Sequence, residues 1–455
     1  KDMSLGSLPE GLLVAWYGDD FSGAAAVMEV LAFSGVPAML FLDVPTSSQL
    51  ANYPDLRAIG VASTARAWSP EQMAKKLPVA FASLLALKPE LLHYKICSTL
   101  DSSPAVGSIG RAIEIGATLT NASAVPVLVA APQMRRYQIF GHLFAGFGDE
   151  VYRLDRHPVM ACHPVTPMKE SDVAQHISAQ SDLIDASLWS REDIASNRKL
   201  LRSGKIPVMT IDSLDAQSEV AAGRMIWEQR AKNPFIVGSQ GVEYALVRHW
   251  AETNSLPNSK PPGGVGRAHG MVVVSGSVSP TTAKQIAWSR NNGFATIRFD
   301  VSTACSENMM LTDEKTRVIK ESLAAISAGI DPLICTAEGY DGAGAAQFKR
   351  AVETSGKTLA VVNKRIGQAL GDILCSILDQ SGIRRAVISG GDTSGYATQR
   401  LGIFGLSALA PTIPGASLFL AHADGPMDGL ELALKGGQMG SPDYFGWIRD
   451  GGGIR

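Results

Sequence analysis

The chain has 455 residues, of which 45% are hydrophobic and 18% charged, so it is long enough for two domains with substantial cores. Its formal net charge of −2 gives no electrostatic basis for binding nucleic acid or an anionic membrane, and we expect neither as a partner. No apolar run approaches the ~18 residues of a spanning helix and no secretory signal is visible. The cysteines lack CxxC spacing, so we expect a cytoplasmic protein without zinc or a disulfide framework.

Strand and helix patterns alternate from the first apolar segment onward. Residues 12–17 predict a strand, 24–33 a helix and 36–42 a second strand, an order typical of a parallel α/β sheet. Two adjacent carboxylates, Asp19 and Asp20, follow the first strand, at the sheet edge where such folds bind ligands. At least one of them is a catalytic candidate. The alternative is that one caps the helix and the other is solvated.

Cations and hydroxyls follow the next predicted strands, at 58–62, 91–94 and 125–130. Any one of them alone fits an ordinary surface side chain. Because the carboxyl ends of parallel strands meet at one edge, together they predict a site for an anionic, polyhydroxylated small molecule. These candidates are Arg66, Lys95, Ser98 and Arg136.

Proline and glycine mark the irregular parts of the chain. Residues 151–180 predict a loop across the domain surface, in which His157 and His163 have structural roles. The stretch 254–269 is rich in proline, glycine and polar residues and predicts a linker. We therefore expect a first domain at 1–253 and a second at 270–455.

The second domain repeats the alternation before it changes character. Strands are predicted at 271–274, 295–299, 332–336 and 386–388, and helices at 281–290, 312–326, 357–380 and 396–401. After residue 403 the helical pattern stops and antiparallel strands are expected.

Glycine–hydroxyl clusters at 275–279, 389–395 and 435–441 are the main functional signal of this domain. In the second cluster, Gly390 and Gly391 precede Asp392 and Thr393 between a strand and a helix. Backbone N–H groups in such a turn bind phosphate, and Asp392 is suited to Mg²⁺ or to capping the helix. The alternative is an ordinary glycine-rich turn of an α/β protein.

Standard nucleotide and hydrolase motifs are missing from the sequence. No G-x-x-x-x-G-K-[ST] is present, which excludes an ordinary P-loop kinase. Two partial G-x-G-x-x-G patterns, at Gly264 and Gly342, lack the third glycine and give little support to a dehydrogenase. No G-x-S-x-G elbow occurs.

Six blocks give the chain a resemblance to a known family. In order they are YGDDFSGA, YKICST, HPVTPM, VVSGSVSP, ISGGDTSG and LKGGQMGSPDYF. Their order and spacing resemble the four-carbon acid sugar kinase family, the tetronate kinases. The resemblance implies an N-terminal substrate domain, a C-terminal ATP-binding domain and a ligand cleft between them. It also implies phosphorylation of the terminal (C4) hydroxyl of a sugar acid such as threonate, erythronate or a 3-oxo-tetronate.

The resemblance also assigns residues to each ligand and shows where this chain departs from the family. Cys97 stands where members usually carry Asp, Asp101 where they carry Arg, and Arg135 where they carry Gly, so a different acceptor preference is expected. Substrate-binding positions are Asp20, Arg66, Lys95, Ile96, Cys97 and Ser98. ATP-contacting positions are Ser277, Ser279, Gly390, Gly391, Asp392, Thr393 and Gly437.

The sequence thus predicts an α/β kinase of two mostly parallel domains without a P-loop. Asp20 is the expected base, with Asp19 as the alternative, and Asp392 the expected Mg²⁺ ligand. Arg66, Lys95 and Arg136 are expected to hold the substrate carboxylate or to meet the γ-phosphate. A homodimer is a further expectation. Two alternatives remain open: an NAD-dependent dehydrogenase of a small hydroxy acid, and a non-catalytic sugar-acid binding protein.

Overall fold

The structure, a computed structural model, describes residues 8–201, 203–256, 260 and 262–455. Two compact units are formed, Lys1–Lys260 and Pro261–Arg455. Residues 1–7 of the predicted first domain, and residues 257–259 and 261 of the predicted linker, lie outside the described residues.

Strands and helices alternate along most of the first unit, as the sequence predicts. Its strands are β1 (Val14–Gly18), β2 (Ala38–Phe41), β3 (Ala58–Ala62), β4 (Leu91–Lys95), β5 (Val125–Leu128), β6 (Arg136–Ile139), β7 (His142–Phe147), β8 (Glu150–Arg153), β9 (Ile184–Trp189), β10 (Ile206–Ile211) and β11 (Phe235–Gly238). Its helices are α1 (Phe21–Phe33), α2 (Ser47–Ala51), α3 (Pro70–Leu85), α4 (Ile109–Thr120), α5 (Val173–Ser178), α6 (Arg191–Ala195), α7 (Ala216–Glu228) and α8 (Gly241–Glu252).

The main sheet of this unit is parallel, in the order β2-β3-β1-β4-β11-β5-β10-β9. From β1 the chain moves to β2 and β3 on one side and returns to β4 on the other. The strand order therefore reverses between β1 and β4. Open α/β sheets bind ligands at the carboxyl ends of the strands at such a reversal. The turns after β1 and β4 thus hold the most favourable ligand position of the unit.

An aromatic cluster supports these two turns from below. Phe81 of α3 lies against Tyr17, Tyr94 and Phe235, with ring centroids 5.9, 5.9 and 5.6 Å apart. All four side chains are buried, and each such aromatic contact contributes about 0.5–1.5 kcal/mol beyond burial alone. Tyr17 and Tyr94 each stand one residue before the end of their strand, β1 and β4. The cluster therefore packs directly beneath the turns that follow these strands and gives both a rigid base.

Strand β8, which ends a small antiparallel sheet in the order β6-β7-β8, and helix α5 occupy the two ends of the stretch predicted as a loop. The prediction of irregular structure over 151–180 is therefore wrong at both ends. Between them, His157 and His163 each accept two backbone N–H bonds at Nδ1, from residues two and three positions later. These bonds agree with the structural role predicted for the two histidines.

The second unit continues the alternation. Its strands are β12 (Val272–Ser275), β13 (Phe294–Arg298), β14 (Asp331–Cys335), β15 (Arg385–Ser389), β16 (Ile403–Ala410), β17 (Leu418–Ala423) and β18 (Glu431–Lys435). Its helices are α9 (Pro280–Arg290), α10 (Asn308–Ser327), α11 (Gly342–Ser355), α12 (Leu359–Ser381), α13 (Gly391–Arg400) and α14 (Tyr444–Arg449).

The sheet of the second unit runs β13-β14-β12-β15-β18-β17-β16. It is parallel from β13 to β18, and β17 pairs antiparallel with both β18 and β16, as predicted for the end of the chain. The order reverses between β12 and β15, because the chain visits β13 and β14 on one side before it returns. The α/β class with mostly parallel sheets is thus confirmed within each unit.

Helices account for the main differences from the sequence predictions in this unit. Helix α13 begins at Gly391, well before the predicted start at 396, because its glycine-rich first turn has a low intrinsic helix propensity that masks it in the sequence. Helix α14 contradicts the expectation that helices cease after residue 403. Among the described residues, no helix is both long enough and apolar enough to cross a membrane.

Candidate functional site

The first candidate site lies at the reversal between β1 and β4. Gly18 pairs in register with Lys95, and the Asp19 N–H donates to the Lys95 carbonyl at 3.0 Å. This bond fixes the two turns side by side. The fold therefore brings the predicted carboxylate pair, Asp19 and Asp20, next to the predicted lysine.

Asp19 is a buried carboxylate, only 2% exposed. Arg66 donates two bonds to it, from Nη2 to Oδ1 at 2.8 Å and from Nε to Oδ2 at 3.3 Å. Burial raises the pKa of Asp19 to about 6; Arg66 opposes this shift and the neighbouring Asp20 adds to it. Asp19 neither caps α1 nor is solvated, so the part of the alternative that leaves one aspartate in solvent is wrong.

Asp20 is the residue that caps α1. Its Oδ1 accepts the Gly23 N–H at 3.0 Å, and its Oδ2 accepts a bond from Nη1 of Arg66 at 3.3 Å. The side chain nevertheless stays 32% exposed. A carboxylate that is held by a cap and a guanidinium, yet open on one side, can accept a hydrogen bond from a bound hydroxyl. Of the two aspartates, Asp20 is the one that a ligand reaches more easily.

Arg66 is occupied by acidic partners. Burial disfavours its charge, but Asp19, Cys97 and Asp20 together raise its pKa. Its guanidinium contacts both aspartates, at 2.8 and 3.2 Å. An arginine in this setting orients the two carboxylates. Its contact with a substrate carboxylate stays a prediction.

Lys95 lies buried beneath the first turn of α1, 2% exposed, and its Nζ donates to the Ile96 carbonyl at 2.6 Å. A Cβ on Gly23 would lie 2.7 Å from that Nζ and 2.6 Å from Oδ1 of Asp20. Glycine at this position therefore lets the helix approach both charged groups. Gly23 is not among the predicted site residues, and the DDFSG pattern is the signal that points to it.

A chain of polar contacts runs from Cys97 to Asp101. The Cys97 Sγ lies 2.9 Å from Oγ1 of Thr99, which donates to Oδ1 of Asp101 at 3.0 Å. Burial raises the pKa of the Cys97 thiol, against the influence of Arg66, so the thiol is neutral at pH 7. Ser98 is buried beside this chain. Thr99 is a further polar group that the predicted set omits.

Arg136 has hydrogen-bonding capacity to spare. Its Nη1 donates to the carbonyls of Met134 and Arg135 at 3.1 and 3.4 Å, and its buried Nε has no partner in the described part of the chain. Burial lowers its pKa, while Cys97 and Asp101 act in the opposite direction. A guanidinium with an unpaired donor is suited to bind an anion.

The second candidate site lies at the reversal between β12 and β15. Ser275, Ser389 and Lys435 stand in register at the carboxyl ends of β12, β15 and β18. The Gly276 N–H donates to the Ser389 carbonyl at 3.0 Å, and the Gly390 N–H to the Lys435 carbonyl at 2.8 Å. The three predicted glycine–hydroxyl clusters therefore meet at one edge of one sheet.

Helix α13 starts inside this edge without a side-chain cap. Its N-cap is Gly390, whose φ of 111° strongly favours glycine. A Cβ on Gly391 would meet no atom within 4 Å, so the space in front of the first turn is open. The N–H groups of Gly391, Asp392 and Thr393 have no intrahelical acceptor. Open space and unpaired amides together suit a phosphate group.

Serine hydroxyls of the first cluster join the third cluster at Gly437. The Ser279 Oγ caps α9 by accepting the Thr282 N–H at 3.1 Å and also contacts the Gly437 carbonyl. Because a carbonyl only accepts, the Ser279 hydroxyl proton is already committed. The Ser277 Oγ accepts the Ser279 N–H at 3.2 Å and the Thr282 hydroxyl at 3.1 Å. No carbonyl of the described residues accepts its own proton, so that proton is available to a ligand. A Cβ on Gly437 would overlap Ser277 Oγ, which explains the glycine.

Thr393 and Lys435 are two buried side chains at the same edge of the sheet. Thr393 is buried, and a Cβ on Gly276 would overlap its Oγ1, so it packs the first two clusters together. Lys435, 1% exposed, is not among the predicted site residues. Burial lowers its pKa to about 8. A lysine that ends an apolar strand directly before two glycines is the sequence signal for it.

Asp392 is the predicted metal ligand. It is exposed in the first turn of α13. The described residues contain no group of three or more His, Cys, Asp or Glu side chains placed to hold a metal ion. Proteins usually bind Mg²⁺ through one or two carboxylates together with substrate phosphates and water. Asp392 therefore fits an ion that arrives with a nucleotide, and not a site built by protein alone.

A cavity of about 530 Å³ also lies in the second unit, at the opposite edge of the sheet. Its lining includes Asp331, Arg385 and Glu431, which stand at the amino ends of their strands. Arg385 and Glu431 are paired with each other at 3.2 Å. The cavity is thus separate from the glycine–hydroxyl clusters at the carboxyl ends.

Comparison with known proteins decides the family. Residues 14–246 match a family model described as a sugar-binding N-terminal domain, and residues 272–445 match a nucleotide-binding C-terminal domain. Over 448 residues the chain is 40% identical to the 3-oxo-isoapionate kinase of Paraburkholderia graminis, with 97% of this chain and 95% of the relative covered. The chain belongs to the four-carbon acid sugar kinase family.

Two further comparisons show lower identity. The 3-oxo-tetronate kinase of Cupriavidus necator is 26% identical over 452 residues, which cover 97% of this chain and 98% of the relative. A solved structure from Salmonella typhimurium, described as a putative tRNA synthase, superposes with a TM-score of 0.76 at 24% identity, covering 96% of this chain and 98% of that one. At this identity the likeness shows the fold alone.

Family membership also settles the class of activity. The protein is a sugar-acid kinase, a phosphotransferase with a nucleotide-binding C-terminal domain. The two predicted alternatives, a dehydrogenase and a non-catalytic binding protein, are therefore wrong. The sugar-binding match covers the Asp19–Arg66 site, and the nucleotide-binding match covers the glycine–hydroxyl clusters.

Proposed function

We propose that this kinase transfers the γ-phosphoryl group of ATP to the terminal (C4) hydroxyl of a sugar acid such as threonate, erythronate or a 3-oxo-tetronate. The observation that carries the proposal is the way in which the Asp20 carboxylate is held and exposed. Its carboxylate is fixed by the Gly23 N–H and by Arg66, yet is open to a ligand. Phosphoryl transfer needs such a group to orient the attacking hydroxyl and to receive its proton.

The residues around Asp20 would hold it in place. Arg66 joins Asp20 to the buried Asp19, so the three side chains form one charged array. The array keeps the Asp20 oxygens in a fixed direction, and the single positive charge of Arg66 offsets only part of the negative charge of the two carboxylates. In this assignment Asp20 is the base and Asp19 is a positioning residue.

The acid group of the substrate would be bound on the β4 side of the site. Arg136 offers an unpaired Nε, and Lys95 contributes a buried positive charge. A charge-assisted bond of this kind contributes roughly 1.5–3 kcal/mol. Ile96, Cys97 and Ser98 line the same turn and would set the shape of the pocket.

The phosphates of ATP would lie at the edge of the second unit. The first-turn amides of α13, from Gly391 to Thr393, have no intrahelical acceptor, the space beside Gly391 is open, and Ser277 has a hydroxyl proton to offer. Gly390 and Gly437 allow the backbone to follow the phosphates closely. Asp392 would hold Mg²⁺, which would offset negative charge on the bound phosphates.

The acceptor has a second candidate. The relative at 40% identity is a 3-oxo-isoapionate kinase, whereas the 3-oxo-tetronate kinases compared are 26–27% identical. We therefore add 3-oxo-isoapionate to the acceptors. Cys97 and Asp101, where the chain departs from the family pattern, lie at the pocket turn and would favour an acceptor other than threonate.

A coupled assay of ADP release tests the proposal. The purified protein is given Mg–ATP with threonate, erythronate, 3-oxo-tetronate or 3-oxo-isoapionate, and Asp20→Asn serves as the inactive reference. We expect acceptor-dependent ADP release with one acid clearly preferred, and phosphate on the terminal carbon of the product by NMR. ADP release that is independent of every acid, or equal in Asp20→Asn, would contradict it.

A further inference from the structure

Lys435 is a buried lysine that no acidic side chain neutralises. Its Nζ lies 3.1 Å from Oγ1 of Thr282, 2.9 Å from the Gly436 carbonyl and 3.3 Å from the Gly437 carbonyl. Within the described part of the chain it forms no ion pair. A charge buried without a counter-charge is costly, and proteins usually keep one only with a partner or a function.

The lysine helps to fix the direction of two peptide groups, together with Thr282 and Ser279, which also donate to the Gly437 carbonyl. The carbonyls of Gly436 and Gly437 both point toward its Nζ. In a planar trans peptide the N–H points opposite to the C=O. The N–H groups of Gly437 and Gln438 therefore point away from Lys435, and neither donates a hydrogen bond to any described residue. Two neighbouring amides with a common direction form an anion-binding concavity.

The same lysine also lies next to the start of α13. The Gly390 N–H donates to the Lys435 carbonyl, and Ser389 is its register partner on β15. The Ser389 Oγ is buried and has no partner in the described residues. Strands β15 and β18 pair side by side, so the amides at 437–438, which follow β18, and the first turn of α13, which follows β15, lie next to each other. Lys435 stands at this junction.

We propose that Lys435 is the positioning residue of the nucleotide site: it orients the Gly437 and Gln438 amides toward the phosphates and supplies the buried positive charge that the phosphates neutralise. The proposal rests on the proposed ATP-dependent function. The phosphate oxygens meet the amides in front of the loop, and the lysine acts through the loop from behind.

Proton linkage follows from the surroundings of Lys435. Burial alone lowers its pKa to about 8, so part of the population is neutral in the free enzyme above that pH. Thr282 and Gln285 of α9 and Ser389 of β15 are uncharged. The charged side chains of the neighbouring elements are the exposed Lys284, Arg290, Asp392 and Arg400, the Asp443–Arg455 pair, the Arg449–Asp331 pair and the Arg385–Glu431 pair, and His422 lies on β17. The Arg385–Glu431 pair stands at the far ends of β15 and β18. Bound phosphate favours the charged lysine, so ATP binding takes up protons.

Titration calorimetry of the whole chain with Mg–ATP at pH 8.5 measures this uptake directly. In buffers of different ionisation enthalpy, we expect the parent to take up a fraction of a proton per ATP. Lys435→Met should abolish the uptake and weaken ATP binding roughly 10- to 100-fold, with the affinity for the sugar acid unchanged. Lys364→Met, which removes an exposed lysine of α12, should behave as the parent.

Three results would overturn the proposal. One is ATP binding by the parent with no proton uptake and a constant Kd from pH 7 to 9.5, a measurement that needs no variant to fold. Another is a folded Lys435→Met that binds ATP as the parent does. The third is equal loss of ATP and sugar-acid binding together with a lower Tm, which would show a purely structural role. If the parent binds no ATP at any pH, the proposed function itself is wrong.

Discussion

In the first unit the strands run β2-β3-β1-β4, and in the second they run β13-β14-β12-β15. Both units therefore place two turns at the same reversal of strand order. The first unit fills its turns with charged side chains, among them Asp19, Asp20 and Lys95. The second fills its turns with glycines and hydroxyls, and a buried charge at that edge, Lys435, lies behind the backbone.

The difference shows how one topology serves two kinds of ligand. A sugar acid presents a carboxylate and a hydroxyl at fixed places, so individual side chains of opposite charge are needed to orient it. A polyphosphate presents many equivalent oxygens, which backbone amides can follow closely where glycine leaves room. Substitutions of charge should therefore damage the first site most, and substitutions of volume the second.

Loss of the Asp20 charge should have the largest effect. Asp20→Asn keeps the size of the side chain and the cap on α1, but it removes the acceptor for the hydroxyl proton. We expect kcat to fall by about 10²–10⁴-fold, the usual contribution of general base catalysis, with little change in ATP affinity. Asp185→Asn, at an exposed position on β9, is the control. A folded Asp20→Asn enzyme within a few-fold of the parent kcat would remove Asp20 from the mechanism.

Substitutions of Arg136 and Arg66 should distinguish a residue that binds the substrate from one that positions the catalytic carboxylates. Arg136→Ala should raise KM for the acid roughly 10- to 100-fold, because a charge-assisted bond is lost, and leave KM for ATP unchanged. Arg66→Ala should also lower kcat and Tm, because Asp19 is left buried without its partner. Steady-state kinetics with both substrates and thermal unfolding measure this. If Arg136→Ala changed both KM values equally, its role would be structural.

Added volume at Gly391 tests the second unit. A valine there enters space that is empty in the structure, so the fold should survive while one or more phosphate contacts are lost. We expect ATP binding to weaken roughly 10- to 100-fold. Gly395→Val is a matched control, since a Cβ there also meets no atom within 4 Å but lies beyond the first turn of α13. If the parent, Gly391→Val and Gly395→Val bound ATP with equal affinity, the first turn of α13 would not be a phosphate site.

Asp19 should give the smallest effect, as a pH dependence of stability. Its pKa is raised to about 6 by burial, above the ~3.9 of an unfolded chain, so the native state binds the extra proton between these values. Its contribution to the free energy of unfolding is therefore greatest at low pH and is lost as pH rises through 6. From pH 8 to pH 5 the parent should gain about 1 kcal/mol relative to Asp19→Asn. Denaturant unfolding at both pH values measures the difference, and an unchanged gap would mean that Asp19 has an ordinary pKa.

Most of the fold was accessible from the sequence because apolar periodicity marks buried strands and helices directly. The failures have local causes. Helix α13 starts with residues of low helix propensity. The strands of the β6–β8 sheet are only four to six residues long and mix charged, polar and aromatic residues, so no apolar pattern stands out. Helix α14 is a six-residue element whose buried Tyr444 and Phe445 resemble a strand pattern.

The candidate site was accessible in part for a related reason. Residue types at strand ends pointed to Asp20, Lys95 and the GGDTSG turn, all of which the structure places at the two reversals. No pattern in one sequence distinguishes the buried Asp19 from the capping Asp20, because neighbouring residues leave a strand in different directions. Lys435 was missed because a lysine at a strand end normally reaches solvent, and only the loop folding over it makes it part of a site.

The strand reversal also has a consequence for how the chain folds while it is being synthesised on the ribosome. Gly18 must pair with Lys95, and Ser275 with Ser389, before either site exists, so both depend on contacts between distant parts of the chain. Such non-local parallel pairing forms slowly. The lysine behind the nucleotide loops emerges later still, on the last strand of its sheet to be synthesised. A nascent chain therefore carries the turns after β1 and β4 well before the turns after β12, β15 and β18 are all present.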